Sequence, residues 1–89
     1  MKILRFSTQY KKDFKRYRRQ PEKLQILLNV FRMLEIEEEL PKEFKPHKLK
    51  GQYKGCMECH IDDDLLLIWF DEVGEFIYIL RLGTHSELF

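Results

Sequence analysis

Residues 55–83 read GCMECHIDDDLLLIWFDEVGEFIYILRLG, and this stretch decides the fold. It contains three runs rich in apolar and aromatic residues, at about 55–61, 65–70 and 75–82. Short segments rich in Asp, Glu and Gly separate these runs, as is typical of β-strands joined by turns. Because such short connections join neighbours, we predict three consecutive antiparallel strands.

The residues before this stretch predict one more strand and two helices. Residues 2–6 form a short strand in this interpretation, and Ser7 or Thr8 can cap a helix that runs to about Arg19. Pro21 suits the first turn of a second helix, where its missing N–H costs nothing. Apolar residues recur at helical spacing in both segments, so each helix has one face to bury.

The length of 89 residues predicts a single domain that spans residues 1–89. The element order β-α-α-β-β-β predicts the α+β class, with a mostly antiparallel sheet and two helices packed on one face. A polar, Lys-rich loop at residues 41–54 connects the second helix to the last three strands. The opposite face of the sheet is then left open for function.

Charge is divided unevenly along the chain, although the formal net charge is only +1. Residues 1–54 hold 15 Lys or Arg and 7 Asp or Glu, a balance of +8. Residues 55–89 hold 1 Lys or Arg and 8 Asp or Glu, a balance of −7. One interpretation is a basic surface that meets a polyanion. The other is that the two halves neutralise each other in the fold, and charge alone does not decide between them.

Targeting signals for export or membrane insertion are not evident. Residues 1–5 have neither the apolar core nor the cleavage site of a signal peptide. The longest apolar run, residues 65–70, is far too short to span a bilayer. We therefore expect a cytoplasmic protein that does not bind membranes and whose Cys56 and Cys59 stay reduced.

Residues 56–60 read CMECH, which matches the C-x-x-C-H spacing of covalent haem attachment. On a strand, residues three apart point to opposite faces, so Cys56 and Cys59 cannot easily converge on a haem or a zinc ion. Residues 62–64 are three aspartates without the spacing of a calcium loop. We expect no haem, no metal and no other cofactor.

Three histidines and one arginine follow or flank the predicted strands. RNA carries its own nucleophile, the 2′-OH, so its cleavage needs a base, an acid and positive charge on the phosphorane. Histidine suits both proton roles because its ordinary pKa of about 6.5 lies close to working pH. Arginine suits the charge role because its fork matches phosphate oxygens and stays protonated.

Several short motifs occur in order along the second half of the chain: HKLKG at 47–51, KG at 54–55, ECHI at 58–61, RLGTH at 81–85 and LF at 88–89. Together with the element order, they resemble the YafQ-type branch of the RelE/ParE toxin superfamily. The resemblance implies a type II toxin–antitoxin toxin with a RelE-like, microbial-RNase-like fold. It also implies a ribosome-dependent mRNA endonuclease (mRNA interferase) that inhibits translation and cuts without a metal.

The resemblance also implies which residues act. The matching functional positions are His47, His60, Asp64, Arg81, His85 and Phe89. In this interpretation Arg81 stabilises the transition state and His85 is the leading candidate for the general acid. His47 and His60 supply the base or hold the phosphate, Asp64 orients a histidine or assists proton transfer, and Phe89 stacks on a base.

Neighbouring residues have supporting roles in the same interpretation. Glu58 lies two residues before His60 on the same strand face, so it is expected to raise the pKa of that ring. Basic residues on the first helix and in the loop are expected to contact RNA or the ribosome, although a solvated surface explains them too. These residues are Lys11, Lys12, Lys15, Arg16, Lys48, Lys50 and Lys54.

Two other functions remain open at this point. One is a ParE-like toxin that inhibits DNA gyrase without cutting RNA, and three histidines around one arginine argue against it. The other is a degenerate module that only binds antitoxin, because Met57 and Leu65 depart from common family residues. The expected partners are a small acidic antitoxin, in a heterotetramer, and the ribosome with its mRNA.

Overall fold

The computed structural model describes residues 1–71 and 74–89. Its strands are β1 (Ile3–Phe6), β2 (His47–Lys48), β3 (Met57–Asp62), β4 (Leu65–Asp71) and β5 (Phe76–Gly83). Its helices are α1 (Thr8–Phe14), α2 (Pro21–Glu35) and α3 (His85–Leu88), and short 3-10 turns occur at Lys42–Phe44 and Gly51–Tyr53. The predicted turn between β4 and β5 includes Glu72 and Val73, which lie outside the described residues.

The five strands form one sheet in the order β1-β5-β4-β3-β2. Strand β1 runs parallel to β5, whereas the other three pairings are antiparallel. The α+β class, the mostly antiparallel sheet and the two-helix layer are therefore confirmed. Strand β4 is central, and its residues 65–69 are buried, as its continuous apolar run predicts.

The two faces of the sheet are covered differently. Helices α1 and α2 pack on one face, where Tyr10, Val30 and Phe31 meet Leu67 and Ile79 from the sheet in the main core. The other face carries a smaller apolar cluster, made of Cys56, Leu66, Ile68 and Leu88. Polar and titratable side chains surround this second cluster, so this is the face on which a site can form.

The sequence prediction missed β2 and α3 and placed the end of α1 too late. After Phe14 the chain continues in tightened turns, in which the amides of Arg16 and Tyr17 donate to carbonyls three residues back. Gln20 then leaves the helical region before Pro21, as a residue preceding proline is expected to do. Within residues 1–71 and 74–89, no helix combines the length and the apolar composition that a bilayer crossing requires.

A bulge separates the two halves of β5. Ile79 is opposite Trp69, but Arg81 is opposite Ile68, so Leu80 is the extra residue. Beyond the bulge, β1 no longer flanks β5, and the start of α1 takes its place. Ser7 marks this change, because its amide donates to the carbonyl of Ile79 and its hydroxyl to that of Leu80.

Candidate active site

The strand register brings the predicted site residues together on the face that α1 and α2 leave uncovered. His47 on β2 is opposite Glu58 on β3, and Glu58 is opposite Ile68 on β4. Ile68 is in turn opposite Arg81 on β5. Directly opposed residues share a face, and neighbouring strands lie about 4.8 Å apart. The backbone of Arg81 is therefore about 10 Å from that of Glu58.

Arg81 is held by a buried carboxylate on α1. Its Nε donates to Asp13 Oδ2 at 2.8 Å and its Nη2 to Asp13 Oδ1 at 3.2 Å. The Leu82 amide donates to the same Oδ2 at 3.0 Å, and Gln9 donates to Oδ1 at 3.3 Å. Asp13 is 1% exposed. Burial alone would raise the pKa of Asp13, but these hydrogen bonds and the guanidinium charge outweigh it and lower the pKa.

The third bond of the guanidinium goes to Tyr53. Arg81 Nη1 donates to the Tyr53 hydroxyl at 3.2 Å. Tyr53 lies in a 3-10 turn between Gly51 and Gly55, whose φ angles of +71° and +89° favour glycine. The Tyr53 ring meets the Phe89 ring edge to face, with centroids 5.6 Å apart. Tyr53 thus connects the arginine to the C-terminal aromatic residue.

His47 and Glu58 form a hydrogen-bonded pair. His47 Nδ1 donates to the Lys45 carbonyl at 2.7 Å, and Nε2 lies 3.1 Å from Glu58 Oε1. Because a carbonyl can only accept, Nδ1 carries a proton in this arrangement, and Nε2 can donate to Glu58 only when the ring carries a second proton. The side chain of Glu58 is 7% exposed, and its Oε2 has no hydrogen-bond partner in the described residues. The His60 ring lies 6.5 Å from that of His47, centroid to centroid.

Helix α3 carries the last two predicted residues. Its start is a capping box, in which Thr84 Oγ1 accepts from the Glu87 amide and Glu87 Oε1 accepts from the Thr84 amide. The His85 ring lies 5.0 Å from the Phe89 ring, and Phe89 is 51% exposed. Leu88 is buried in the apolar cluster of this face.

Glu87 ties α3 back to the segment that follows α1. It accepts hydrogen bonds from the Tyr17 hydroxyl and, at 2.9 Å, from Arg16 Nη1. The bond from Tyr17 and those at the helix cap lower the pKa of Glu87 despite partial burial. Gly83 allows this close approach, because a Cβ there would stand 3.0 Å from Glu87 Oε1. One segment, residues 13–17, therefore contacts both Arg81 and the helix that carries His85.

The predicted residues fall into two groups and one outlier. His47, Glu58 and His60 form one group, and Arg81, His85 and Phe89 form the other. Asp64 is exposed in the turn between β3 and β4, and no described contact joins it to a histidine. The carboxylate that meets a histidine is Glu58, and it meets His47 instead of His60.

The predicted basic contacts are exposed, with one difference among them. Lys11, Lys12 and Lys15 lie exposed on or after α1, and Lys48, Lys50 and Lys54 lie exposed around His47. Arg16 is also exposed but forms an ion pair with Glu87. In this structure Arg16 therefore contacts α3, and its predicted contact with RNA or the ribosome stays a prediction.

Two residues of the site were missed by sequence reasoning. Asp13 had a detectable signal, because it is the only acidic residue among the first 21. A lone carboxylate on a basic helix suggests a specific partner, but the sequence does not name it. Tyr53 had no such signal, since it lies in an irregular loop whose path only the structure gives.

Residues 2–89 match a protein family described as the bacterial toxin of type II toxin–antitoxin system, YafQ. The chain belongs to this family. The mRNA interferase toxin YafQ of Escherichia coli K12 is 30% identical over 89 residues, which cover 97% of this chain and 94% of that protein. This YafQ-family chain is therefore a toxin of a type II toxin–antitoxin system.

Solved structures agree with the family fold. A copper-bound mutant of a toxin from Helicobacter pylori is 35% identical, with a TM-score of 0.91 and full coverage of both chains. YafQ in the Escherichia coli DinJ–YafQ complex is 27% identical, with a TM-score of 0.87. That match covers 100% of this chain and 99% of that one. The resemblance read from the sequence motifs is thus confirmed.

Proposed function

We propose that this toxin is a ribosome-dependent mRNA endonuclease that uses the 2′-OH of the RNA as its nucleophile. The observation that carries the proposal is the shared sheet face of Arg81 and Glu58, whose backbones lie about 10 Å apart by strand spacing, with His47 one strand further out. A span of this width accommodates one phosphodiester linkage between a base and a cation. The mRNA interferase name of the Escherichia coli relative supports the same reaction.

Glu58 is suited to accept the proton of the 2′-OH. When the His47 ring is protonated at both nitrogens, Nε2 donates to Glu58 Oε1, and Oε2 of the Glu58 carboxylate has no partner in the described residues. Oε2 is closed to solvent in this structure, so the proposal requires that RNA binding uncovers it, after which it gains a hydrogen bond from the 2′-OH. The ring of His47 then carries positive charge next to the base and offsets the charge of the approaching phosphate.

The remaining groups complete an in-line displacement. The 2′-oxygen attacks phosphorus and loses its proton to Glu58, while the bond from phosphorus to the 5′-oxygen breaks. His85 protonates that leaving oxygen, and Arg81 donates hydrogen bonds to the phosphorane oxygens. The products are a 2′,3′-cyclic phosphate, which water can open to a 3′-phosphate, and a 5′-hydroxyl.

Other residues bind and orient the RNA in this proposal. The exposed ring of Phe89, supported by Tyr53, stacks on a base next to the cleaved linkage, a contact worth about 1–3 kcal/mol. His60 holds the phosphate beside His47, and Asp64 contacts RNA from the neighbouring turn. The basic side chains of α1 and of the loop around His47 contact phosphates, which fixes position without reading sequence.

The chemistry is proposed to need no metal ion. The Helicobacter pylori mutant toxin is copper-bound, which raises the question of whether the residues of this chain also fit a metal ion. Among residues 1–71 and 74–89, no group of three or more His, Cys, Asp or Glu side chains is arranged to hold an ion. We therefore derive no catalytic step through a metal.

The proposed setting is the cytoplasm, with a cognate antitoxin as the partner. The DinJ–YafQ complex of Escherichia coli is the precedent for a partner of this kind. An acidic antitoxin fits the surplus of basic residues before residue 55. We propose a heterotetramer in which the antitoxin blocks access of ribosomal mRNA to the site.

The direct test is a cleavage assay with purified ribosomes, a defined mRNA and the toxin. Wild type should give discrete cuts with 5′-hydroxyl ends only when ribosomes are present, and equally so with EDTA levels that leave ribosomes intact. Arg81→Ala and His85→Ala should each lose about 10²–10³-fold in rate. Gln25→Ala, at an exposed position on α2, is the matched control and should cut like wild type.

Three outcomes would count against parts of this proposal. Unchanged cutting by both variants would remove the catalytic assignment. Cutting that needs an added divalent ion beyond what ribosomes require would remove the metal-independent mechanism. Inhibition of gyrase supercoiling without any RNA cleavage would support the non-nuclease alternative instead.

A further inference from the structure

Helix α1 reaches the candidate site through a single carboxylate. Asp13 engages the Nε and Nη2 edge of Arg81 with two hydrogen bonds, and the Leu82 amide donates to the same carboxylate. Asp13 thereby fixes both the guanidinium and the backbone next to it. Because Asp13 bonds both to the Arg81 side chain and to the amide of Leu82, it sets the direction in which the Arg81 side chain extends from β5.

Arg81 still has donors to offer after these contacts. A guanidinium has five N–H donors. Asp13 takes two and Tyr53 takes one, so two remain without a described partner. The remaining donors are one on Nη1 and one on Nη2, and they form the end of the fork when Tyr53 takes the Nη1 hydrogen nearer Cδ. That end is the edge that pairs with two oxygens of one phosphate.

We propose that Asp13 is a positioning residue for catalysis, which acts by aiming the free end of the Arg81 fork at the phosphate. The inference rests on the proposed function, because it assigns a purpose to the position of Arg81. Asp13 never touches RNA in this account, since it is 1% exposed behind the arginine.

The contact with Asp13 also reduces the net positive charge around Arg81. The carboxylate neutralises much of the guanidinium field, so Arg81 attracts phosphate through aligned donors more than through net charge. The exposed lysines around His47 then supply the long-range attraction that the paired arginine lacks. Loss of the Asp13 contact should therefore lower the maximal cleavage rate, whereas loss of a surface lysine should weaken binding.

Asp13→Asn separates the two effects. The asparagine is nearly the same shape but offers one oxygen and one N–H₂ group to two N–H donors, so at most one of the two bonds survives. We expect the maximal single-turnover rate of ribosome-bound mRNA cleavage to fall about 100-fold, the loss expected when a catalytic group is displaced by about 1 Å. The toxin concentration at half-maximal rate should change less than about threefold, because the surface lysines are intact.

Gln9→Ala is the matched control. Gln9 also donates to Asp13, at 3.3 Å, but its removal leaves both bonds to Arg81 in place. It should keep the wild-type rate. Lys48→Ala is the opposite case, and we expect a higher half-maximal concentration with an unchanged maximal rate. If Asp13→Asn raised only the half-maximal concentration, the positioning role would be wrong.

Nuclear magnetic resonance of the Arg81 Nε–H group tests the same contact without RNA. In wild type this proton should exchange with water far more slowly than the Nε–H proton of exposed Arg18, and Asp13→Asn should remove most of that difference. The wild-type measurement stands even if the variant does not fold, and exchange as fast as at Arg18 would overturn the inference. Faster exchange in a folded Asp13→Asn variant that cleaves normally would overturn the positioning role of Asp13, whereas normal cleavage by Arg81→Ala would refute the catalytic role of Arg81 itself.

Discussion

Leu88→Ala should release α3 without unfolding the sheet. Leu88 is 4% exposed and packs in the apolar cluster with Cys56, Leu66 and Ile68. Truncation of a buried Leu costs about 2–5 kcal/mol, and the lower half applies here because the end of the chain can relax. A loss of 2–3 kcal/mol lowers the ratio of docked to undocked α3 by about 30- to 150-fold. Strands β3 to β5 keep their own contacts, so the effect should stay local.

Hydrogen exchange of single amides measures this release. The amides of Leu88 and Phe89 donate to the carbonyls of Thr84 and His85, so their protection reports on docking of α3. We expect that protection to fall by about the same 30- to 150-fold, with the amide of Leu67 on β4 much less affected. Ser86→Ala, at an exposed position of α3, should leave it unchanged.

Cleavage should follow the docked population. In the proposed mechanism His85 and Phe89 act only when α3 is docked, so the rate should fall by at most the factor measured by exchange. Equal losses of protection at Leu88 and Leu67 would refute the idea that α3 opens as a separate unit. A loss of cleavage much larger than the loss of protection would show that Leu88 has a role beyond docking.

Three further measurements follow from the buried groups. Glu58→Gln should leave the thermal unfolding midpoint equal or higher, because it removes a buried charge with an unsatisfied oxygen. The same change should reduce cleavage about 10²–10³-fold, because the proposed base is lost. A lower midpoint with normal cleavage would contradict both expectations. The fold lowers the pKa of Asp13 and of Glu87, so their stabilisation is complete above about pH 5 and is lost as the pH falls below about 4. Urea midpoints between pH 3 and 7 should follow this trend, with a shallower decline in Asp13→Asn. Burial raises the pKa of Cys56 and, together with the charge of Glu58, raises that of Cys59 to about 12, so iodoacetamide at about pH 8 should label neither until the protein unfolds.

The fold was largely predictable because its signals are local. The apolar run at residues 65–69 predicts a central strand, and Pro21 marks the start of α2. The start of α3 has a local signal, because Thr84-His85-Ser86-Glu87 has the spacing of a capping box. The helix was nevertheless missed, because four residues are too few to show a helical periodicity. Strand β2 was not predictable, because two residues carry no alternation.

The site was only partly predictable because its contacts are distant in sequence. Residue types and family motifs predicted a site that includes Arg81, His85 and Phe89, yet nothing in the sequence pairs Arg81 with Asp13, 68 positions earlier. The link between His47 and Glu58 depends on the register of a two-residue strand. The partner of Glu58 was therefore predicted as His60, and the structure gives His47.

The contacts of residues 13–17 with Arg81 and Glu87 join positions 68 to 71 apart. Pairings of such long range form late, after the intervening chain exists. A nascent chain therefore cannot complete these contacts until Arg81 and Glu87 have been added. Under the proposed function, a chain that ends before Glu87 is expected to be inactive, because the contacts that hold α3 are missing.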